Sequence, residues 1–126
     1  EALAALKSKV GAEHLPQLEP VLADLERPNG SHLPSTAVDV VIIANILFQT
    51  EQRPVVLAEA WRALRSGGTL AVVEWDDSPF PIGPPMVLRV GRAEAKKLAL
   101  AAGFELTREF DAGSHHYGLL FTKPRT

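Results

Sequence analysis

The 126-residue chain contains no cysteine. That removes disulfides and thiolate metal sites and fits a cytoplasmic setting. It has no basic excess either, with 13 Lys and Arg against 15 Asp and Glu and a net charge of -2. Without a basic stripe there is no electrostatic footprint for nucleic acid. No apolar run approaches the roughly 20 residues that a membrane span needs, so no membrane partner is expected. The first residues are a charged, Ala-rich stretch rather than a basic start and an apolar block, which is not a signal-peptide pattern. What the chain does have is an ordinary apolar share, 46%. Its length suits a single domain over residues 1–126, with a real core and little room for a second.

The pattern that organises the chain runs from Val38 to Trp75. Val38 to Ala44 and Thr69 to Trp75 are short apolar runs rich in Val, Ile and Leu, and the segment between them is helical. Continuous runs of this kind suit strands covered on both faces, and so predict a parallel pair joined by a crossover helix. The helix spans about Gln52 to Leu64, with Leu57, Ala60, Trp61 and Leu64 as its buried stripe. Pro54 is tolerated because it falls in the first turn. Arg62 and Arg65 suit the negative end of the helix dipole, and Gly67 or Gly68 supplies a left-handed cap. Ligands of such sheets sit beyond the carboxyl ends of the strands. That directs attention to Asn45 and to Glu74, Trp75, Asp76 and Asp77.

The flanking segments complete an α/β reading. Residues 1–14 read as a helix with Leu3, Leu6 and Val10 on one face and Gly11 as its stop. Leu18 to Leu25 reads as a short strand delivering Asp24 at its carboxyl end, and Glu26 to Thr36 has loop composition. Asp77 to Pro85 is a Pro-rich connection suited to a binding loop. Gly91 to Ala102 is a second amphipathic helix closed by Gly103. Phe104 to Phe110 and His116 to Thr122 then form an antiparallel hairpin.

These residues resemble a known family. Leu33-Pro34, Val38-Asp39-Val40-Val41 and the run from Leu57 through Arg65-Ser66-Gly67-Gly68-Thr69-Leu70 are similar to class I S-adenosylmethionine-dependent methyltransferases. The group that includes the ubiquinone and menaquinone biosynthesis enzymes is the nearest. Ala23-Asp24-Leu25 and the tail from Glu94 through Gly103-Phe104 to the final hairpin fit as well. The resemblance implies a Rossmann-like methyltransferase sheet, mostly parallel with an antiparallel C-terminal hairpin. In that family's sheet the fourth and fifth strands are neighbours, and an antiparallel seventh strand lies between the fifth and sixth.

Family members begin with a strand and a Gly-x-Gly turn, where glycine lets backbone approach the methionine portion of the cofactor. A second strand ending in an acidic residue that holds the ribose follows. Nothing here matches either element, since Gly11 is isolated and Gly30 lies in a loop. The expectation is therefore an N-terminally truncated member. The strand at Val38 to Ala44 then has an exposed apolar edge, which is an aggregation hazard. Two repairs are open. The Leu18–Leu25 strand could move beside it, or a second copy or a separate chain carrying the missing half could cover it. A homodimer through the exposed edge is the favoured expectation.

The resemblance implies S-adenosylmethionine as cofactor. It places Asp24 and Leu25 at the adenine, with the Asp24 carboxylate accepting from the amino group. It places Ala44, Asn45 and Ile46 along the methionine portion. Glu74 and Asp76, with Trp75 and Asp77, fall where family members place substrate-facing residues, and they are the catalytic candidates. Each has a plainer reading: Asp24 as a loop cap, Asn45 as a strand end, the acidic run as loop solvation. His115 and His116 are adjacent on a strand and point to opposite faces, so no metal site is expected. They read as solvated strand-end histidines, Trp61 as core, and Arg89, Arg92, Lys96 and Lys97 as a solvated helix face.

Two readings follow. One is an enzyme transferring a methyl group to a small-molecule acceptor. The other is a catalytically inactive subunit that self-associates or complements a separate amino half.

Overall fold

The computed structural model describes residues 2–78 and 81–125. Nine elements occur in it, of which four are strands of one sheet in the order β1-β2-β4-β3. Strand β1 (Val38–Ala44) runs parallel to β2 (Leu64–Trp75), with Val40 opposite Thr69 and Ala44 opposite Val73. Strand β4 (His116–Thr122) is antiparallel to both β2 and β3 (Glu105–Asp111). This is the expected arrangement of the family's fourth, fifth, seventh and sixth strands.

Helix α1 (Ala2–Ala12) precedes the sheet and buries none of its residues. Helix α2 (Arg53–Ala63) joins β1 to β2, and α3 (Arg92–Ala101) leads into the hairpin. The core lies between α2, α3 and one face of the sheet. Leu57 and Ala60 of α2 and Ala95 and Ala99 of α3 pack there against Leu70, Val72, Leu119 and Phe121, all nearly inaccessible. Each large side chain buried this way contributes about 1.5–3 kcal/mol. Trp61 closes one end, edge-on to Phe104 with ring centroids 5.2 Å apart. Tyr117 closes the other, its hydroxyl donating to the Val90 carbonyl. On the opposite face of the sheet, Val40 and Ile42 are 55% and 67% exposed. Among the described residues no helix is long and apolar enough to cross a membrane.

Three sequence expectations need correction. The Leu18–Leu25 segment is not a strand. Leu18, Val21 and Leu22 are exposed, and Pro20 in their midst lacks the N–H that a strand must offer to its neighbour. The first proposed repair of the β1 edge is therefore not what the chain adopts, and among the described residues β1 pairs only with β2. The glycine pair is not a helix cap either. Helix α2 gives way directly to extended backbone at Leu64, φ -75° and ψ 138°. Gly67 and Gly68 form an irregularity at the start of β2, where the register shifts between Val38 and Val40. Gly67, at φ 81°, donates its N–H to the Lys123 carbonyl, 2.7 Å. Finally, Arg89 is buried rather than part of a solvated helix face.

Candidate functional site

Because β1 and β2 are parallel neighbours, their carboxyl ends lie side by side, the place where open α/β sheets bind ligands. Asn45 leaves β1 with φ 56°, a left-handed geometry that asparagine tolerates better than most residues. Its N–H donates to the Val73 carbonyl at 2.8 Å, and its own carbonyl accepts from Gln49 Nε2 at 3.2 Å. Ile46 and a 3-10 turn at Leu47–Gln49 follow. Arg53, at the start of α2, donates Nε to the Leu47 carbonyl at 2.9 Å. Its other nitrogens reach Glu94 at 2.9 Å and the Leu88 carbonyl at 3.1 Å. The turn after β1 is thus fixed to α3 as well as to the sheet.

Glu74 lies beneath this turn with no accessible surface. Its Oε1 accepts the Leu47 N–H at 2.7 Å, and its Oε2 accepts the Trp75 N–H at 3.3 Å. Burial pushes its carboxyl above the usual carboxylate range, while the amides of Leu47, Trp75, Phe48 and Ile46 pull the other way. The side chain points to the helix-covered side of β2, alongside Leu70 and Val72. Asp76, the other acidic candidate, is half-buried. Its N–H donates to the His115 carbonyl at 2.7 Å, and its Oδ1 accepts the Ser78 N–H at 3.0 Å.

Leu25 and Ile46 come together as walls of one apolar groove of about 190 Å³, which Val41, Ile43 and Val56 also line. Ala44 and Asn45 are exposed beside it at the strand end. Asp24 does not line this groove. Its carboxylate is exposed, with Oδ1 accepting the Glu26 N–H at 3.0 Å and Oδ2 3.2 Å from Arg27 Nε. Asp24 instead borders a separate hollow of about 220 Å³ with Asn29, Gly30 and His32.

Beyond β2, Arg89 replaces a backbone ladder with side-chain donors. Its guanidinium donates to the carbonyls of Ile82 at 2.6 Å, Pro84 at 2.9 Å, and Asp76 and Ser78 at 3.1 Å. It also lies 5.8 Å from the centre of the Trp75 ring. Trp75 packs against His116, ring centroids 4.3 Å apart. His116 is not a solvated strand end, for its Nε2 is buried without a hydrogen-bond partner. Pro79 and Phe80, in the middle of the Asp77–Pro85 loop, lie outside the described residues. Among the described residues no group of three or more His, Asp or Glu side chains could hold a metal ion.

Sequence reasoning did not find the residues that hold these segments in place. Glu26 Oε1 accepts the N–H groups of Glu51 and Gln52 at 2.7 and 3.0 Å, capping α2 from a distant loop. Glu59, buried on α2, accepts from Ser31 and pairs with Arg62 at 2.6 Å, and Arg62 in turn donates to the Leu33 carbonyl at 2.6 Å. For Arg89 there was a signal: it is the one charged residue in Met86-Val87-Leu88-Arg89-Val90. Glu26 left none, because its partners lie more than twenty positions away in sequence, and the same holds for the bond from Ser31 to Glu59, whereas Arg62 stands at i+3 from Glu59 on the same helix.

The sequence profile of the methyltransferase-domain family matches residues 1–72, more than half of the chain. The chain belongs to the methyltransferase-domain family. All five cofactor-side candidates and β1 fall inside the matched residues. Among solved structures, a SAM-dependent methyltransferase from Aquifex aeolicus is similar over 92% of this chain at 21% identity, with a TM-score of 0.82. A protein of Pyrococcus horikoshii is similar over 98% at 15% identity, TM-score 0.77, and this chain covers 66% of it. The cyclase SpnF is similar over 98% at 16% identity, TM-score 0.82, with 63% of its length covered. These likenesses show the same fold. This methyltransferase domain spans 60% of the length of the Aquifex chain. No curated protein matches it.

Proposed function

We propose that the chain acts as an S-adenosylmethionine-dependent methyltransferase of the ubiquinone- and menaquinone-biosynthesis-like group, transferring a methyl group to a small-molecule acceptor. The observation that carries this reading is the family match over residues 1–72, which takes in Asp24, Leu25, Ala44, Asn45 and Ile46. The donor set suits the cofactor's chemistry. The methyl donor is cationic at its sulfonium and amine and apolar along its base. Asn45 offers an oxygen acceptor at the strand end, and Leu25 and Ile46 offer apolar walls; Asp24, at the separate hollow, is the acceptor for the base's amino group. In the reaction the acceptor atom forms a bond to the methyl carbon as the carbon–sulfur bond breaks. The sulfur keeps the electron pair, and the acceptor releases its proton to a base or to water. The protein's part is to align acceptor and methyl. Asp76 is the better placed of the two carboxylate candidates, because both Glu74 oxygens are already taken by backbone amides. The lack of cysteine supports a cytoplasmic setting.

The test is a thermal melt with S-adenosylhomocysteine. Binding to the folded chain alone raises the melting temperature by mass action, and Asp24→Ala removes the rise. No rise at millimolar ligand overturns the reading.

One observation favours the second reading, a subunit that self-associates. Strand β1 is an edge strand, and Val40 and Ile42 stand exposed on its uncovered face. Pairing of two β1 edges in a homodimer covers the open edge and sets the two exposed faces side by side. Light scattering then reports about twice the mass of one chain, and Ile42→Lys halves it. A single-chain mass for the unaltered protein overturns this reading.

A further inference from the structure

The 3-10 turn after β1 has no cap of its own, since its N-cap residue is Ile46, which makes no side-chain cap hydrogen bond. The open amides at the start of a helical turn attract an anion, and here the anion comes from the neighbouring strand. Glu74 projects from the end of β2 and receives the Leu47 N–H at 2.7 Å, across 27 residues of sequence. The carboxylate has no accessible surface, so the contact is neither screened nor exchanged for water. Asn45 is stitched to β2 as well, through its N–H to Val73. The segment Asn45-Ile46-Leu47 is therefore tied at both ends to the last three residues of β2, which hold a positive φ at its first position.

We propose that Glu74 is a positioning residue for methyl-donor binding: its buried carboxylate sets the Asn45–Leu47 turn in the shape that the donor meets. The role rests on the donor reading given above. It also separates Glu74 from the acceptor-side acids among which its sequence position placed it. A base must reach the reacting atom, and this carboxylate faces backbone amides on the helix-covered side of the sheet. The side chain works at one remove, through the backbone it holds. Glutamine at this position has nearly the same shape but only one accepting oxygen. Its amide nitrogen points N–H toward N–H.

The experiment compares unaltered protein, Glu74→Gln and Val72→Ala. Val72→Ala destabilises the same strand from the same face without touching the turn. Two readouts are taken: S-adenosylhomocysteine affinity by calorimetry, and amide hydrogen exchange at residues 45–48. Glu74→Gln is expected to lose on the order of 10-fold in affinity and to speed exchange at Leu47. Val72→Ala is expected to melt earlier with its affinity unchanged. In the unaltered protein the ligand slows exchange at residues 45–48, a result that stands even where Glu74→Gln does not fold. If the unaltered protein binds while Glu74→Gln binds equally well, or Val72→Ala loses as much affinity, the positioning role is overturned and the donor reading survives. If the unaltered protein takes up no ligand, the donor reading falls and the positioning role with it.

Discussion

Lys123 sits over the indole of Trp61, its Nζ 4.8 Å from the ring centre, and donates to the Trp61 carbonyl at 2.6 Å. The same Nζ donates to the Leu64 carbonyl at 2.8 Å. One ammonium from the residue that follows β4 thus satisfies two carbonyls at the carboxyl end of α2, where a cation is favoured. Burial lowers the pKa of Lys123, and the paired carbonyls offset part of that desolvation. Replacing Lys123 with Met leaves both carbonyls short of a donor. The expected loss is about 1–3 kcal/mol by urea denaturation. A change of less than about 0.5 kcal/mol, the usual size for a surface substitution, contradicts the role.

The ion pair of Glu59 and Arg62 gives the protein an acid limb. Hydrogen bonds from Arg62 and Ser31 hold the Glu59 carboxyl at about 2, below its ordinary 4.5. A lowered folded pKa means stability that is present above 4.5 and lost as the pH falls toward 2. The full shift corresponds to roughly 3 kcal/mol. Arg62 is 24% exposed, and solvent screening brings the expected value nearer to about 1–2 kcal/mol. Glu59→Gln flattens the stability profile in that window. Glu74 acts with the opposite sign. Its folded pKa is raised from 4.5, so its contribution is full below 4.5 and declines as the pH climbs through the folded value. Glu74→Gln removes that decline. Denaturation at several pH values separates the two.

Arg89 holds the described parts of the loop after β2 with donors to four carbonyls. Arg89→Met keeps the stem's apolar packing and removes every donor. Faster amide exchange is expected at residues 76–78 and at Ile82 and Gly83, with a shift in Trp75 fluorescence and unchanged exchange in β1. Equal loosening of β1 would mean that Arg89 supports the whole sheet rather than the loop.

The sheet was legible because its signals are local. Val38–Ala44 and Thr69–Trp75 are continuous Val- and Ile-rich runs, and the hairpin alternates around a turn at Asp111–Ser114. Leu18–Leu25 misled because its apolar residues imitate a strand, whereas strand formation needs a partner edge that Pro20 and the intervening loop do not let it reach. The glycine pair misled for a related reason. Gly67 does adopt a positive φ, but for a bend in β2 that the cross-strand bond to Lys123 demands. The site was legible as a location, the carboxyl ends of β1 and β2, since topology dictates it. The roles within it were not. Glu74, Arg89 and Glu26 act on backbone groups brought near only by folding, and no spacing rule encodes such pairs.

The central claim is that the methyl donor meets the turn after β1. An amide-resolved NMR titration with S-adenosylhomocysteine tests it directly. The account predicts shifts concentrated at residues 24–25 and 44–47, with α3 and the hairpin quiet. Shifts absent from residues 44–47, or confined to another surface, contradict it.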